Sequence, residues 1–267
     1  MNELTNISDQ KKNHFNVNIA GLEAEINTVY SSSYFFCEEF LSDGNPLFII
    51  EVTREDINTA IQKERGFFYT RTGFIGGQNG WDIKKEINES RIEISIVYEK
   101  FIEAALAYDI IFMHGAVIAF HNQSFMFTAP SGTGKTTHIM KWLQNLNGSF
   151  VVNGDKPLIK IQKNDITAYG TPWCGKEKLC TNTKVPLKAI VLMERSETNH
   201  IEEISFGQAY PFLLQQTYIP YDAEKAKRTL SLLAGLYNQV RIYKFQFNNF
   251  ADDCFDVAYH GILGIKE

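Results

Sequence analysis

A glycine-rich turn between an apolar run and an amphipathic segment constrains this chain more than any other feature. Ser124 to Thr128 has the composition of a buried strand, and 136–146 has apolar residues at helical spacing. Between them, 129–136 reads APSGTGKT, which matches G-x-x-x-x-G-K-[ST] except that Ala129 replaces the first glycine. This order of strand, turn and helix predicts a phosphate-binding loop in an α/β fold.

The residue types within the loop explain how it would hold a nucleoside triphosphate. Gly132 and Gly134 let the backbone curl so that successive N–H groups point at phosphate oxygens. Lys135 can reach the outer phosphates, and the hydroxyl of Thr136 can bind Mg²⁺. The pattern therefore predicts ATP and Mg²⁺ as ligands. The predicted nucleotide contacts are Ser131, Gly132, Thr133, Gly134, Lys135, Thr136 and Thr137.

Two polar residues are predicted close to the loop in space. His114 belongs to a predicted strand, Ile110 to Phe120, that precedes the loop, and Asp155 ends the next predicted strand after the loop's helix. Strands that flank a phosphate loop can bring both side chains to the terminal phosphate, where they would act in catalysis. Two other interpretations stay open: His114 as a hydrogen-bonded core residue, and Asp155 as a turn residue before Pro157.

A second candidate site is the segment Tyr169 to Lys178. Its glycines, proline and lysines suit a loop that closes over phosphates, with Trp173 excluding water and Lys176 meeting an anion. The alternative is a connecting loop in which Trp173 fills the core. Arg195 follows a predicted strand and is either a nucleotide contact or a solvated strand end.

The sequence predicts two domains, a small α+β domain over 1–97 and the phosphate-loop domain over 98–267. No chemical motif occurs in the first. Its predicted elements are strands at Phe15–Ile19, Leu47–Val52, Phe67–Thr72 and Arg91–Val97, a helix from Thr53 to about Glu64, and a glycine loop over 72–79.

Composition narrows the classes of protein that this chain can represent. Hydrophobic residues make up 44% and charged residues 21%, as in ordinary globular proteins. With 26 basic and 31 acidic side chains, the net charge is −5, which argues against nucleic acid as a partner. Ala104 to Phe120 is too short and too interrupted to span a membrane. No secretory signal or C-x-x-C pair is evident, so we expect a cytoplasmic protein with reduced thiols and without zinc or membrane partners.

His114-Gly115, the loop Ser131 to Thr136 and the strand-terminal Asp155 together resemble the HPr kinase/phosphorylase fold. That fold is similar in its core to ATP-dependent phosphoenolpyruvate carboxykinase. The chain is more similar still to HPr-kinase-related proteins, including those that phosphorylate ribosomal peptides. The resemblance covers about Tyr98 to Phe247, and the first half does not resemble the corresponding domain of HPr kinases. The runs that carry it are 129–138, 153–157 and 170–177.

The resemblance implies an α/β phosphate-loop domain with a mixed sheet, self-association, and transfer of the γ-phosphoryl group of ATP to a hydroxyl. The acceptor would be a serine of a peptide or protein, or a small metabolite. It also implies that Lys135 contacts the ATP phosphates, Thr136 holds the metal and His114 lies beside the acceptor. HPr kinases carry two adjacent aspartates where this chain has Gly154-Asp155. Asp155 is therefore either the general base or chiefly a metal ligand.

Two other functions remain open at this stage. Carboxykinase chemistry on a keto acid needs an arginine-rich carboxylate pocket, and the chain has no obvious one. A nucleotide-binding regulator without catalysis is the other alternative, and the missing carboxylate at Gly154 is its best support.

Overall fold

The computed structural model of the protein describes residues 12–71 and 88–264 of the 267. The chain divides into two compact units, Met1–Phe101 and Ile102–Glu267. Their boundary falls inside a continuous helix, Glu89–Ala105, so compactness alone does not fix where one domain ends. The sequence-based bounds of 1–97 and 98–267 therefore stay a prediction.

The first unit contains a three-stranded sheet in the order β1-β2-β3. Strands β1 and β2 form an antiparallel hairpin, whereas β2 and β3 pair in parallel. The elements of this unit are β1 (His14–Ile19), β2 (Leu22–Asn27), α1 (Ser32–Phe36), β3 (Phe48–Glu51), α2 (Arg54–Arg71) and α3 (Glu89–Ala105).

Two strands predicted in this unit are wrong. Residues 67–71 belong to α2, and 91–97 belong to α3. The second error has a clear cause: Ile92, Ile96 and Val97 are buried together at helical spacing, although their β-branched side chains favour strands. The predicted glycine loop over 72–79 lies outside the described residues.

The second unit is built on a mixed, curled sheet of nine described strands. Its central path runs β4-β8-β9-β10-β6-β5-β7, and β12 pairs with both β10 and β11. The strands are β4 (Ile110–Phe112), β5 (Ala116–Phe120), β6 (Gln123–Thr128), β7 (Phe150–Asn153), β8 (Leu158–Gln162), β9 (Asp165–Tyr169), β10 (Lys184–Arg195), β11 (His200–Glu203) and β12 (Arg241–Phe247).

The strand directions bring several chain ends to one edge of this sheet. Strands β6, β10 and β12 are parallel, with Thr128 opposite Leu192. Strand β5 runs antiparallel to both β6 and β7. The carboxyl ends of β6, β7, β10 and β12 and the amino end of β5 therefore meet at the same edge, where ligands commonly bind in α/β sheets.

The single strand predicted over 110–120 is instead two strands, separated by 113–115. The backbone leaves the sheet here because it pairs elsewhere. The N–H of His114 donates to the carbonyl of Gln216 (2.7 Å), and that of Gly115 donates to the carbonyl of Asp155 (3.0 Å). His114 consequently lies on a connection at the sheet edge rather than within a strand.

Helices cover both faces of the sheet and bury an apolar layer on each. One layer packs α4 (Lys135–Asn145) and α7 (Cys254–Leu263) against the sheet, and the other packs α5 (Phe206–Gln215) and α6 (Ala223–Ala234). This three-layer arrangement is an α/β fold. No helix within the described ranges is long and apolar enough to cross a membrane.

The layer under α4 is rich in aromatic side chains. Trp142 is fully buried and contacts the rings of Phe125, Phe127 and Phe255 at centroid distances of 5.3–5.7 Å. Its indole N–H donates to Nε2 of His138 (3.0 Å), which is also fully buried. Burial, assisted by repulsion from Lys141, lowers the pKa of His138 to about 3, so this histidine is an uncharged core residue.

Candidate phosphate-binding site

The glycine loop lies at the ligand edge of the sheet, between the end of β6 and the start of α4. Gly132 and Gly134 adopt φ values of +77° and +120°, which residues other than glycine rarely adopt. A Cβ at Gly134 would also approach the side chain of Asn249 to 2.6 Å. Ala129 is fully buried in the aromatic layer, so its methyl group fits where the motif has glycine.

Arg195, at the end of β10, binds the loop from outside. Its Nε donates to the carbonyl of Thr133 (2.9 Å), and its Nη2 donates to that of Gly132 (2.6 Å). Because the C=O and N–H groups of a trans peptide point in opposite directions, the first contact turns the N–H of Gly134 away from Arg195. In this structure Arg195 therefore holds the loop backbone. The sequence had suggested either a nucleotide contact or a solvated strand end for this residue.

Lys135 is buried at the first turn of α4 and folds back over the loop. Its ammonium group donates to the carbonyls of Ala129 (2.8 Å) and Pro130 (3.4 Å). Burial lowers its pKa, and attraction to Asp155 partly offsets this effect. A phosphate would offer stronger, charge-assisted partners than these carbonyls do.

The remaining predicted loop contacts differ in exposure. Ser131 and Thr137 are exposed, whereas Thr133 and Thr136 are half-buried. The hydroxyl of Thr133 donates to the carbonyl of Pro130 (2.8 Å), which tightens the turn.

The residues offered for Mg²⁺ are oxygen donors, as this ion prefers. Within the described ranges, no group of three or more His, Cys, Asp or Glu side chains could hold a metal by itself. Mg²⁺ normally uses one or two protein oxygens together with waters and substrate phosphates. The hydroxyl of Thr136 and the carboxylate of Asp155 fit that manner of binding.

His114 and Asp155 come together at this edge. Nε2 of His114 lies 3.3 Å from Oδ1 of Asp155, and Nδ1 lies 2.9 Å from Oε1 of Gln216. Both side chains of the pair are partly exposed, at 25% for His114 and 32% for Asp155. The imidazole is thus held between two oxygen atoms, while both side chains keep part of their surface accessible.

A buried hydrogen-bond network fixes the backbone of Asp155. Oδ1 of Asn153 accepts from the N–H groups of Asp155 (2.9 Å) and Lys156 (2.7 Å). The amide of Asn153 donates to Thr171, whose hydroxyl donates to the carbonyl of Lys156 (2.8 Å). Asn153 and Thr171 were not among the predicted site residues, although an asparagine side chain often binds the backbone two residues on in a turn.

Opposing influences act on the carboxyl group of Asp155. Burial raises its pKa. The hydrogen bond from His114 and the attraction by His114, Lys156 and Lys135 lower the pKa by more than burial raises it. The net result is a pKa below the ordinary value, so Asp155 is ionised at neutral pH. Its attraction to Lys135 links the carboxylate electrostatically to the loop.

Gly154, the residue before Asp155, lies close to a neighbouring segment of backbone. A Cβ at Gly154 would lie 3.1 Å from the carbonyl oxygen of Cys174 and 3.3 Å from Leu179. The N–H of Gly154 donates to the carbonyl of Leu179 (2.8 Å), which keeps that segment close. A side chain would have to push this backbone away, so glycine permits the contact.

The segment 169–178 has a buried first half and an exposed second half. Trp173 is 4% exposed, whereas Lys176 is exposed. Burial of Trp173 in this state agrees with the core-filling alternative, and the closing-loop role stays a prediction. The segment does pass beside the pair, because a Cβ at Gly175 would lie 3.1 Å from Cβ of Asp155.

A cavity of about 900 Å³ opens between the glycine loop and the end of β10. Its walls come from the loop itself, the end of β10, and helix α5 with the strand before it. The lining includes Leu192, Ile204, Gln208 and Phe212, together with the charged residues Glu194, Arg195, Glu202 and Lys244.

Comparisons with known proteins add little to this geometry. No protein-family model matches the chain, and no curated protein matches it. Among solved structures, the chain is similar to the Hpr(Ser) kinase/phosphatase from Coxiella burnetii. The TM-score is 0.35 with 9% sequence identity, covering 58% of this chain and 92% of that chain. A likeness this distant supports no role for any residue.

Proposed function

We propose that the protein is an ATP-dependent kinase that transfers the γ-phosphoryl group to a hydroxyl acceptor. The observation that carries the proposal is the His114–Asp155 pair beside a glycine loop of phosphate-binding sequence. A loop of phosphate-binding sequence and an ionised carboxylate, both at one sheet edge, are two of the parts that enzymes use for phosphoryl transfer to an alcohol.

The proposed reaction begins with ATP on the loop, where backbone N–H groups and Lys135 contact its phosphates. The acceptor oxygen attacks the γ-phosphorus, its proton passes to Asp155, and the bond between the γ-phosphorus and the bridging oxygen breaks to release ADP. His114 keeps Asp155 oriented and lies beside the acceptor. Lys135 stabilises the charge that develops on the transferred group.

Mg²⁺ would be held by Thr136 together with phosphate oxygens, and by Asp155 if that carboxylate is chiefly a metal ligand. When bound, the ion neutralises charge on the phosphates. In the proposal, Trp173 and Lys176 belong to the segment beside the acceptor. The acceptor itself is a serine of a peptide or protein, or a small hydroxylated metabolite.

A second candidate function is nucleotide binding without catalysis, in a regulator. It is favoured by Gly154, whose contacts with Cys174 and Leu179 leave one carboxylate at the strand end. The kinase proposal requires ATP turnover in the presence of an acceptor, whereas the regulator requires only binding.

Lys135→Ala tests whether ATP binds at the loop. We expect it to weaken ATP·Mg²⁺ binding about 10- to 100-fold, because a charged hydrogen-bonding partner of the phosphates is lost. Calorimetric titration measures the affinity, and a thermal melt shows whether the variant remains folded. Lys141→Ala is the matched control, since Lys141 lies on the same helix outside the loop. Unchanged affinity in folded Lys135→Ala would remove the proposal.

A further inference from the structure

We infer that the cavity beside β10 holds the base of the nucleoside triphosphate. The inference rests on the proposed function and assigns the nucleoside end of the same ligand. It depends on three features: the position of the cavity relative to Asp155, its lining, and the hydrogen bonds of Gln208.

Position follows from the strand order β7-β5-β6-β10. His114 and Asp155 adjoin the ends of β5 and β7, while the cavity adjoins the end of β10. Strands β5 and β10 are two strand spacings apart, about 10 Å. The loop after β6 lies between them.

In-line transfer is compatible with this separation. The attacking oxygen and the leaving oxygen lie roughly in line through the transferred phosphorus. If the acceptor lies beside Asp155, ADP leaves on the opposite side, and the nucleoside extends away from β5 and β7. The cavity by β10 opens in that direction.

The lining suits a flat ring with polar edges. Leu192, Ile204 and the half-buried Phe212 supply apolar surface, and the exposed carboxylate of Glu202 can accept from an amino group. The other charged lining residues have partners in the protein: Lys244 pairs with Glu194, and Arg195 binds the loop. The volume of about 900 Å³ is large enough to hold a nucleoside base.

Gln208 supplies a hydrogen-bond donor, because contacts with Ser205 determine which end of its side-chain amide is the oxygen and which is the NH₂ group. Its Oε1 accepts from the backbone N–H (2.9 Å) and the hydroxyl (2.7 Å) of Ser205 in a capping box at the start of α5. A backbone N–H can only donate, so the atom facing Ser205 is the oxygen. The NH₂ group is the remaining hydrogen-bonding part of this side chain, and ring nitrogens of a base accept from such a donor.

Gln208→Glu separates the two roles of this residue. Glutamate preserves the capping box, in which either Glu or Gln serves, but it replaces the NH₂ donor with a second acceptor. We expect ATP·Mg²⁺ affinity to fall about 3- to 10-fold. Phe212→Ala should lower it about 5- to 100-fold, the range for loss of an aromatic surface under a base.

Inorganic tripolyphosphate with Mg²⁺ is the comparison ligand, because it has the phosphates without the base. Both ligands are titrated calorimetrically into full-length wild type, Gln208→Glu, Phe212→Ala and Phe250→Ala. Phe250 is the control aromatic: it is 97% exposed and follows β12, next to Asn249, which contacts Gly134. The inference requires that ATP lose more affinity than tripolyphosphate in the first two variants, and that Phe250→Ala change neither.

The contrary outcomes are distinguishable from failure of the proposed function. Wild type that binds tripolyphosphate as tightly as ATP overturns the base site and leaves the loop assignment standing. A selective loss of ATP affinity in Phe250→Ala, with none in Phe212→Ala, also overturns it by moving the base to the β12 side. Wild type that binds neither ligand refutes the proposed function and the base site together.

Discussion

Two histidines adjoin the phosphate loop in very different surroundings. His114 is 25% exposed and held between the oxygens of Gln216 and Asp155, whereas His138 is fully buried among aromatic rings. The first lies where the backbone leaves the sheet, and the second lies on the buried face of α4. The contrast shows that sequence proximity to a phosphate loop does not distinguish a partly exposed histidine at the sheet edge from a histidine buried in the core. Access to ligand and oxygen partners does so.

The strongest test of this contrast is Asp155→Asn, which keeps the shape of the side chain but removes its basicity. If Asp155 is the general base, the single-turnover rate of transfer should fall about 10²–10⁴-fold, while ATP affinity changes much less. If it chiefly holds Mg²⁺, ATP·Mg²⁺ affinity should fall and recover as metal is raised. Rapid-quench transfer and nucleotide titration on one preparation distinguish these cases. A variant as fast as the parent would exclude both roles.

The buried surroundings of His138 are tested by Trp142→Phe. This substitution removes the indole N–H group that donates to Nε2 of His138. We expect the free energy of unfolding to fall by about 1–3 kcal/mol from the unsatisfied nitrogen, in addition to the loss of ring volume. Urea unfolding followed by circular dichroism measures it. Adding His138→Leu removes the unsatisfied Nε2 atom of His138. The double variant should therefore lose less free energy of unfolding than the sum of the losses in the two single variants. Simple additivity would contradict the structural role of this hydrogen bond.

A more gradual effect is expected on the pH dependence of stability. The pKa of His138 is about 3 in the folded protein, against roughly 6.5 in an unfolded chain. Between these values the unfolded state binds a proton that the folded state does not, so stability is lost as pH falls from about 6.5 toward 3. One such group contributes a slope of at most about 1.4 kcal/mol per pH unit.

His138→Gln should therefore flatten the decline of unfolding free energy between pH 7.5 and pH 5, measured by urea unfolding at several pH values. Glutamine can still accept from the indole of Trp142, so the two proteins should differ most at the acid end. Parallel curves for the parent and the variant would show that His138 gains no proton on unfolding and would contradict its neutral burial.

The sequence predicted the parts of the site that depend on short spacing. Strand β6, the loop and α4 follow one another without interruption, and each has its own local signal. The approach of His114 to Asp155 was expected because both adjoin strands next to the loop. The roles proposed for them remain predictions.

Partners distant in the chain were beyond sequence reasoning. Gln216 is 102 residues from His114, and nothing in their spacing connects them. Arg195 follows a predicted strand, which left a nucleotide contact and a solvated strand end as the alternatives. Its hydrogen bonds to the carbonyls of Gly132 and Thr133 exist only once β10 lies beside β6, so the sequence could not show them. In the first unit, the β-branched residues of α3 favoured a strand, and tertiary packing of one helical face overrode that preference.

The hold of Arg195 on the loop has a consequence for the order in which the protein assembles. Strands β5 and β6 are joined by a tight turn at His121 and Asn122 and can pair as soon as both are made. Arg195 lies 62 residues beyond Thr133, and contacts over such separations form late because a long loop must close first. During synthesis on the ribosome, the glycine loop therefore emerges without its clamp. Until β10 joins the sheet, the loop backbone is held by its local contacts, such as the hydrogen bond from Thr133 to Pro130.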